Sequence, residues 1–419
     1  MRILFISEYF TPKIMGGGEI NLFLIAKALV KNGEDVSVLT SYHSGLKRVE
    51  IIEGIKVYRK LKTADNPSGV KNNWIRSRLF PKSIVKETKK LNKKLKFDLI
   101  HFIGTSIIAA KELRKIKKLR RVNVPLFATI ESYPALCPKG DRFYHGKKEC
   151  KFVCSFSKFL SCQINSSEIG KTRNSWYLRY NPLFVYYVYN YYKKLNEGLK
   201  YCKLIAISEY VQKILLQQGR ESVVIPNMLE VNKFNVKINK KTNKSKKTRI
   251  LYLGSLTKFK GPQVLLKAIK GLNNVRCNLY GDGPLKDELQ RYINKNNLDA
   301  EIYQPVSYDQ IPEVYANHDL VVFPSIWPEP FGRIAIEAMA AGKPVIGSDV
   351  GGIRETIEKG KGILVKLGDN HELKKQILNV IENEALKKFK INGTKDVKDK
   401  YSELNVIKKI IKRYQEELK

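Results

Sequence analysis

The chain has 419 residues, 43% of them hydrophobic, so its length and composition allow two or three globular domains with buried cores. It carries 77 Lys and Arg against 40 Asp and Glu, a formal net charge of +37 that favours anionic partners such as nucleotide phosphates or an anionic membrane face. A merely Lys-rich composition is the alternative explanation for part of this excess, and because no zinc-finger or RNP pattern is present we expect no nucleic-acid partner.

The N-terminus predicts a short strand over residues 1–7 rather than a signal peptide. Apolar runs such as Leu183 to Val188 are too short to span a bilayer. We therefore expect a cytoplasmic protein that can also lie peripherally on the cytoplasmic membrane face.

The first half of the chain repeats a strand–loop–helix pattern. Ile3 to Ile6 predicts a buried strand, Gly16 to Glu19 a glycine-rich loop, and Ile20 to Val30 an apolar helix. A loop of this kind at a helix N-terminus is where α/β folds hold phosphate. The spacing is not G-x-G-x-x-G, so the dinucleotide fingerprint is missing and a plain turn stays the alternative.

Two later strand patterns place polar residues at their carboxyl ends. The strand over residues 97–103 carries His101, and Leu126 to Ile130 leads into Glu131 and Ser132. Ligands of open α/β sheets bind at those ends. A structural role is the alternative for a strand histidine such as His101.

Four cysteines follow with the spacing C-x12-C-x3-C-x7-C: Cys137, Cys150, Cys154 and Cys162. The spacing is not that of a regular zinc ribbon, so zinc, a disulfide and free thiols all remain open. The next stretch, Trp176 to Tyr192, is rich in tyrosine and precedes two lysines, which suits either a membrane interface or a helix packed on the sheet.

A polar, charged segment over residues 236–248 predicts a linker between two domains. We expect residues 1–235 to form the first domain and residues 249–395 a second one with the same alternation of strands and helices. Residues 396–419 predict a basic helix that packs back on the first domain. The predicted fold class is α/β, with two doubly wound, Rossmann-like domains facing a cleft.

The most informative stretch runs from residue 320 to 352. Leu320 to Phe323 predicts a buried strand, a proline-rich elbow follows, and Phe331 to Ala341 predicts a helix. Glu329 lies just ahead of this helix and Glu337 about two turns into it. The two carboxylates could contact two parts of one extended ligand, or form an ordinary acidic helix start with one solvated glutamate.

These residues resemble the retaining nucleotide-sugar glycosyltransferases of the GT4 type, which have the GT-B fold. The resemblance covers nearly the whole chain. Its most specific part is the E-x7-E motif that begins with Glu329-Pro-Phe-Gly and ends at Glu337, with Gly351 and Gly352 behind it. Supporting matches are Gly16 to Glu19, Leu204 to Glu209, Ile225 to Asn227, Lys260 with Gly261, and Gly281 to Pro284.

The resemblance implies contacts to a nucleotide-sugar donor. Glu329 would bind the sugar hydroxyls and Glu337 the ribose. The resemblance also implies donor contacts from the backbone N–H groups of Phe331 and Gly332, from Lys260 at the diphosphate and from Gly17 in the glycine-rich loop. Beside these implied contacts we name Arg333, at the helix start, as a further candidate cation for the phosphates.

The chain also departs from the family pattern. Ser255 stands where the family usually has an arginine, for which Lys258 or Arg333 could substitute. Glu131 and Ser132 stand in place of a His-Asp pair, so we name Glu131 with Glu329 as candidate catalytic residues, Glu131 orienting the acceptor. His101 is the candidate on the acceptor side.

The resemblance thus implies a hexosyltransferase that needs neither metal nor cofactor and works in polysaccharide or glycolipid biosynthesis. The acceptor would be a lipid-linked glycan or another envelope glycoconjugate. The alternative is a degenerate GT-B protein that binds nucleotide sugars or anionic surfaces without turnover, which Ser255 and the missing histidine at Glu131 favour.

Overall fold

The structure, a computed structural model, describes residues 1–64, 70–116, 123–166, 180–236, 247–357, 361–382 and 386–419. The chain divides into two compact units. The N-terminal unit comprises Met1–Met228 and Val406–Lys419, and the C-terminal unit comprises Leu229–Asn405. Of the predicted linker, residues 237–246 lie outside the described residues, as do residues 176–179 of the aromatic stretch.

The N-terminal unit alternates strands and helices. Its strands are β1 (Arg2–Ile6), β2 (Asp35–Ser41), β3 (Val49–Ile52), β4 (Ile55–Leu61), β5 (Leu99–Ile103), β6 (Leu126–Ile130), β7 (Phe143–Tyr144), β8 (Lys148–Glu149), β9 (Lys203–Ala206) and β10 (Ser222–Val224). Its helices are α1 (Gly17–Lys31), α2 (Val70–Leu95), α3 (Ala110–Arg114), α4 (Phe156–Asn165), α5 (Pro182–Leu199) and α6 (Glu209–Gln217).

Eight of these strands form one sheet in the order β10-β9-β6-β5-β1-β2-β4-β3, parallel except for β3. The central strands are short apolar runs buried on both faces, as β5 and β6 show, which is the pattern of a parallel sheet covered by helices. The strand order reverses between β1 and β5, so the loops after these two strands flank the expected ligand position of this unit.

The C-terminal unit repeats the alternation. Its strands are β11 (Thr248–Leu253), β12 (Val275–Tyr280), β13 (Ala300–Tyr303), β14 (Leu320–Phe323), β15 (Val345–Ser348) and β16 (Ile363–Val365). Its helices are α7 (Pro262–Ile269), α8 (Lys286–Lys295), α9 (Ile311–Ala316), α10 (Arg333–Ala340), α11 (Ile353–Thr356), α12 (Asn370–Glu382) and α13 (Leu386–Tyr401).

These six strands form a parallel sheet in the order β13-β12-β11-β14-β15-β16. Counted from the first strand of the unit, that is the order 3-2-1-4-5-6 of a Rossmann fold, which reverses direction between β11 and β14. The prediction of two doubly wound α/β domains is confirmed. Among the described residues, no helix combines the length and the apolar character needed to cross a membrane.

The last helix, α14 (Glu403–Glu416), begins in the C-terminal unit and from Val406 onwards belongs to the N-terminal unit. It is amphipathic: Val406, Ile407, Ile410 and Tyr414 are buried. The hydroxyl of Tyr414 lies 2.5 Å from Nδ1 of His101, and its ring packs edge-on against Phe127 at 4.9 Å between ring centroids. α14 is therefore fixed to the N-terminal sheet by apolar packing and one buried hydrogen bond.

Tyr414→Phe should loosen this attachment. It removes the hydroxyl while keeping the ring, and leaves a ring nitrogen of buried His101 without its partner, which costs about 1–3 kcal/mol. We expect faster amide exchange in peptides from α14 and β5 by hydrogen–deuterium exchange mass spectrometry. Tyr186→Phe, at a tyrosine that is 61% exposed, is the control and should leave exchange unchanged. Equal exchange in the wild type and Tyr414→Phe would contradict the proposed attachment.

Candidate functional site

The C-terminal unit gathers its polar residues where its strand order reverses. The loop after β11 carries a 3₁₀ turn over Lys258–Lys260, and the loop after β14 forms the proline-rich elbow. Nζ of Lys260 lies 2.6 Å from Oε1 of Glu329, so an ion pair bridges the two loops. The Lys260–Glu329 pair therefore lies at the point where the sheet topology predicts a ligand site.

Glu329 is held by three donors on one oxygen. Besides Lys260, its Oε1 accepts hydrogen bonds from Oγ of Ser325 at 2.6 Å and Nε1 of Trp327 at 3.2 Å. Nζ of Lys260 also lies 5.2 Å from the Trp327 ring centroid, a cation–π distance. The carboxylate is only 7% exposed, so these contacts replace the water that an ionised group needs. Its other oxygen, Oε2, accepts no hydrogen bond from a described residue.

Ser325 and Trp327 were not predicted as site residues. Both lie on the same elbow as Glu329, four and two residues before it. A serine or tryptophan in a proline-rich loop has no distinctive spacing, so only the folded elbow shows that they orient the carboxylate.

Glycines let the elbow pack closely on its neighbours. A Cβ on Gly351 (φ +57°) would lie 2.5 Å from the carbonyl oxygen of Glu329, and one on Gly352 would lie 2.5 Å from that of Pro330. The N–H of Gly352 donates to the Glu329 carbonyl at 2.7 Å. On the other side, Gly261 has φ +74°, and a Cβ there would lie 1.9 Å from the Pro324 carbonyl oxygen. Gly351 and Gly261 require glycine for both backbone angle and space, and Gly352 for space alone.

Glu337 lies inside the unit in a second polar group. Its Oε1 accepts from Nε of Arg333 at 2.8 Å, and its Oε2 accepts from the Tyr315 hydroxyl at 3.1 Å. Arg333 also donates through Nη2 to the Tyr308 hydroxyl at 2.8 Å. Burial raises the pKa of the Glu337 carboxyl, and Arg333 acts in the opposite direction by charge and hydrogen bonding.

This arrangement changes the expectation for Arg333. Its guanidinium is buried between Glu337 and Tyr308, so the structure brings it to the second carboxylate rather than presenting it as an exposed phosphate cation. Tyr308 and Tyr315, which complete the group, were not predicted. Phe331 is buried edge-on against Tyr401 at 5.6 Å between ring centroids, and Gly332 caps α10 in the left-handed region at φ +107°. Ser255 lies exposed on the loop after β11.

In the N-terminal unit, Glu131 follows β6 and contacts the start of α1. Its Oε1 accepts from Nδ2 of Asn21 at 2.8 Å, and its Oε2 lies so close to Gly18 that a Cβ there would stand 2.3 Å away. Asn21 in turn accepts from the backbone N–H of Met228 at 2.9 Å. Gly17 is exposed as the first residue of α1. The structure therefore brings Glu131 and the glycine-rich loop together.

His101 occupies a different environment from the predicted one. It is the third residue of β5 and only 2% exposed. Its Nδ1 is hydrogen-bonded to the Tyr414 hydroxyl, and its Nε2 is hydrogen-bonded to Oγ1 of Thr129 at 2.8 Å. Burial lowers the pKa of His101 to about 3, so the ring is neutral at physiological pH. Contact with an acceptor would need an exposed ring nitrogen, and this position favours the structural alternative.

A polar cluster that was not predicted lies where the N-terminal strand order reverses. Glu8 follows β1 and is 4% exposed. Its Oε2 accepts from Nη2 of Arg76 at 2.6 Å and from Oγ1 of Thr105 at 2.7 Å, and its Oε1 accepts from Oγ1 of Thr63 at 2.6 Å. A glutamate directly after the first strand was the available signal, because ligands bind at strand carboxyl ends.

Comparison with known proteins gives a family match within the C-terminal unit and relatives that extend beyond it. Residues 234–396 match the family described as Glycosyl transferases group 1. An uncharacterized glycosyltransferase of Methanocaldococcus jannaschii, MJ1607, is 26% identical over 440 residues, which covers 99% of this chain and 98% of that protein. A D-inositol 3-phosphate glycosyltransferase of Corynebacterium kroppenstedtii is 31% identical over 173 residues, 36% of this chain and 37% of that protein.

Solved structures extend the likeness over both units. A sucrose-phosphate synthase from Thermosynechococcus elongatus superposes with a TM-score of 0.76 at 19% identity, covering 99% of this chain and 98% of that one. Anabaena HepE in complex with UDP-glucose superposes with a TM-score of 0.70 at 20% identity, covering 99% and 100%. At these identities the likeness shows the fold, which is GT-B as predicted.

Gly351→Ala tests whether the elbow depends on close backbone packing. The new Cβ would meet the Glu329 carbonyl, which adds about 1–3 kcal/mol of overpacking to the strain of a left-handed alanine. Gly368→Ala is the matched control, because Gly368 has φ +72° but its Cβ would meet only Ile326 Cγ2 at 3.9 Å. Urea denaturation should show a clearly larger loss of unfolding free energy for Gly351→Ala. Equal losses would mean that backbone angle alone matters.

Proposed function

We propose, on the premise that residues 234–396 are a group 1 glycosyl transferase domain within a GT-B fold, that this chain transfers a sugar from a nucleotide-sugar donor to an acceptor. The proposal includes the GT4 type and retention of configuration at the anomeric carbon. The observation that carries it is the Lys260–Glu329 pair where the strand order reverses in the C-terminal unit.

A nucleotide sugar matches the chemistry of this group. It is an extended ligand with a hydroxyl-rich sugar at one end, a ribose at the other and a diphosphate between them. Lys260 supplies a cation for the diphosphate, and Glu329 and Glu337 supply acceptors for sugar and ribose hydroxyls. In this proposal the Phe331 and Gly332 backbone lies at the sugar, and the exposed N-terminus of α1 at Gly17 remains a candidate donor contact.

Lys260 is the group we assign to leaving-group stabilisation. When the bond between the anomeric carbon and the diphosphate breaks, negative charge develops on the departing phosphate oxygen, and a positioned cation lowers the energy of that state. The acceptor oxygen forms the new bond to the same carbon, and its proton passes to the departing diphosphate. The reaction so written needs no protein base.

The Glu329 carboxylate is suited to orient the sugar. Three donors fix Oε1, and Oε2 takes no hydrogen bond from a described residue, so a sugar hydroxyl can donate to it. A buried acceptor that is already fixed in position requires little reorganisation when the substrate binds. Trp327 and Ser325 act in this proposal as positioning residues for Glu329.

Arg333 is likewise a positioning residue for the ribose contact. It is paired with Glu337 at 2.8 Å and is itself held by Tyr308. An ionised Glu337 accepts hydrogen bonds from ribose hydroxyls, whereas a protonated one has lost part of that capacity. Arg333 thus favours the form that binds.

On the acceptor side we retain Glu131 as an orienting carboxylate and add Arg76, which Glu8 holds through two hydrogen bonds at 2.8 and 2.6 Å. His101 is left out, since its ring is buried. The acceptor we propose is a lipid-linked glycan or another envelope glycoconjugate, which fits the net charge of +37 and a location on an anionic membrane face.

Glu329→Gln is the first test of this function. UDP-, GDP- and other nucleotide sugars are offered to the purified chain with candidate acceptors, and release of nucleoside diphosphate is measured. With the accepted donor, Glu329→Gln should lower kcat/KM by roughly 10²–10³-fold, because the amide cannot hold Lys260 as an ion pair. Proton NMR of the product gives the anomeric configuration, which we expect to be that of the donor sugar.

Glu301→Gln is the control for this substitution. Glu301 lies in the same unit in a half-exposed pair with Arg276, so its loss should leave transfer unchanged. Unchanged activity in Glu329→Gln would remove the proposed role of this residue. Donor binding without turnover for any acceptor would favour the degenerate, binding-only alternative.

Arg333→Gln should make donor binding depend on pH. Without the guanidinium the pKa of Glu337 rises further above its ordinary value, so the carboxylate is protonated in a larger fraction of molecules as the pH falls. Donor Kd should therefore increase from pH about 8 to about 6 by a larger factor in Arg333→Gln than in the wild type. Isothermal titration calorimetry at several pH values measures this.

Arg354→Gln is the matched arginine control, since Arg354 forms a half-exposed pair with Asp349 in the same unit. Its pH profile should follow that of the wild type. Parallel profiles for Arg333→Gln and the wild type would show that Arg333 has no influence on the ionisation of Glu337.

A further inference from the structure

The cysteines of the N-terminal unit converge on one small cavity. Cys137, Cys150, Cys154 and Cys162 all line a cavity of about 10 Å³, together with Phe143, Phe152 and Phe159. That volume is about the space that one water molecule or one small ion occupies. None of the four forms a disulfide in the structure.

The secondary structure beside this cavity is short. Its hairpin consists of two strands of two residues each, β7 and β8, and a short isolated hairpin is marginal in water. Cys137 precedes the hairpin, Cys150 directly follows β8, Cys154 precedes α4, and Cys162 lies within α4. The thiols thus sit at points where a single cross-link would tie hairpin and helix together.

The surroundings supply positive charge and N–H donors. Arg142 is 2% exposed, and its Nε is buried with no acceptor among the described residues. The side chain of Lys139 is only 7% exposed and is paired with Asp141 at 3.0 Å. The N–H of His145 donates to Sγ of Cys162 at 3.4 Å. Buried cations and N–H donors of this kind stabilise thiolates.

We propose that Cys137, Cys150, Cys154 and Cys162 bind one Zn²⁺ through four thiolates. Zinc prefers four sulfur ligands in a closed tetrahedral site when its role is structural. Such a centre carries a net charge of about −2, which buried Arg142 offsets in part. The partly exposed Cys154 gives the ion an entry path. The role is to fix the hairpin and α4, apart from the transfer chemistry.

Zinc binding requires the four sulfur atoms to come closer together than they are in this structure. Among the residues that the structure describes, no three or more His, Cys, Asp or Glu side chains are gathered as a ready-made metal site. Binding would bring each sulfur to about 2.3 Å from the ion. Because all four cysteines line one cavity, we infer that rotation of their side chains brings the sulfur atoms to this distance.

The test uses the full chain, purified with a reductant and without chelator or added metal. Inductively coupled plasma mass spectrometry should find about one zinc per chain. Replacement of zinc by Co²⁺ should give the intense thiolate-to-metal absorption and the visible bands of a tetrahedral S₄ site. This spectrum needs no variant, so it remains decisive if the variants fail to fold.

Two single variants locate the site. Cys162→Ser should lower the zinc content to below about 0.2 per chain, because three ligands bind far more weakly than four. Cys202→Ser is the control, since Cys202 is a free cysteine of the same unit that does not line this cavity, and it should keep the full zinc content.

Three results would overturn the proposal. One is a metal-free chain that neither takes up added Zn²⁺ nor gives the Co²⁺ spectrum, with four free thiols on titration under native conditions. Another is a disulfide among the four cysteines found by mass spectrometry in the reduced preparation. The third is iron in place of zinc with the absorption of an iron–sulfur cluster, which would assign the site to a different cofactor.

Discussion

One carboxylate oxygen connects the parts of the C-terminal unit that matter for chemistry. Oε1 of Glu329 accepts a hydrogen bond from Lys260, on the loop after β11. It accepts two more from Ser325 and Trp327, on its own elbow. The elbow can reach that position only because its backbone lies directly on Gly351, where a side chain would collide with it. If this oxygen loses its donors, a buried charge is left unpaired, which is among the most destabilising changes a protein can undergo.

The sheets explain why this contact lies where it does. In the C-terminal unit the strand order 3-2-1-4-5-6 opens a crevice between the loops after β11 and β14, and Lys260 and Glu329 come from those loops. In the N-terminal unit the strand order reverses between β1 and β5. Glu8 follows β1, Thr105 follows β5, and Arg76 of α2 donates to Glu8. The same topological rule thus yields one polar cluster in each unit, and the residues at each determine what that cluster can bind.

The sequence allowed prediction of the fold and pointed to Glu329 and Glu337 of the E-x7-E motif as candidate site residues, because strand–helix alternation and motif spacing are local properties. It did not reveal Tyr308 and Tyr315, which reach Arg333 and Glu337 from sequence positions 25 and 22 residues away. His101 was placed on the acceptor side because burial cannot be read from one strand. The residue that covers it, Tyr414, is 313 positions further along the chain. The spacing of the four cysteines left metal, disulfide and free thiols open, and their common cavity became visible only in the folded unit.

The central claim is that Lys260 and Glu329 act on the donor as one unit. A double-mutant cycle measures this directly: donor binding is titrated calorimetrically for the wild type, Lys260→Met, Glu329→Gln and the double variant. Because the two side chains share an ion pair at 2.6 Å, we predict non-additive losses with a coupling free energy of about 1 kcal/mol or more. Losses that add to within about 0.3 kcal/mol would show that the two residues act independently and would contradict the account.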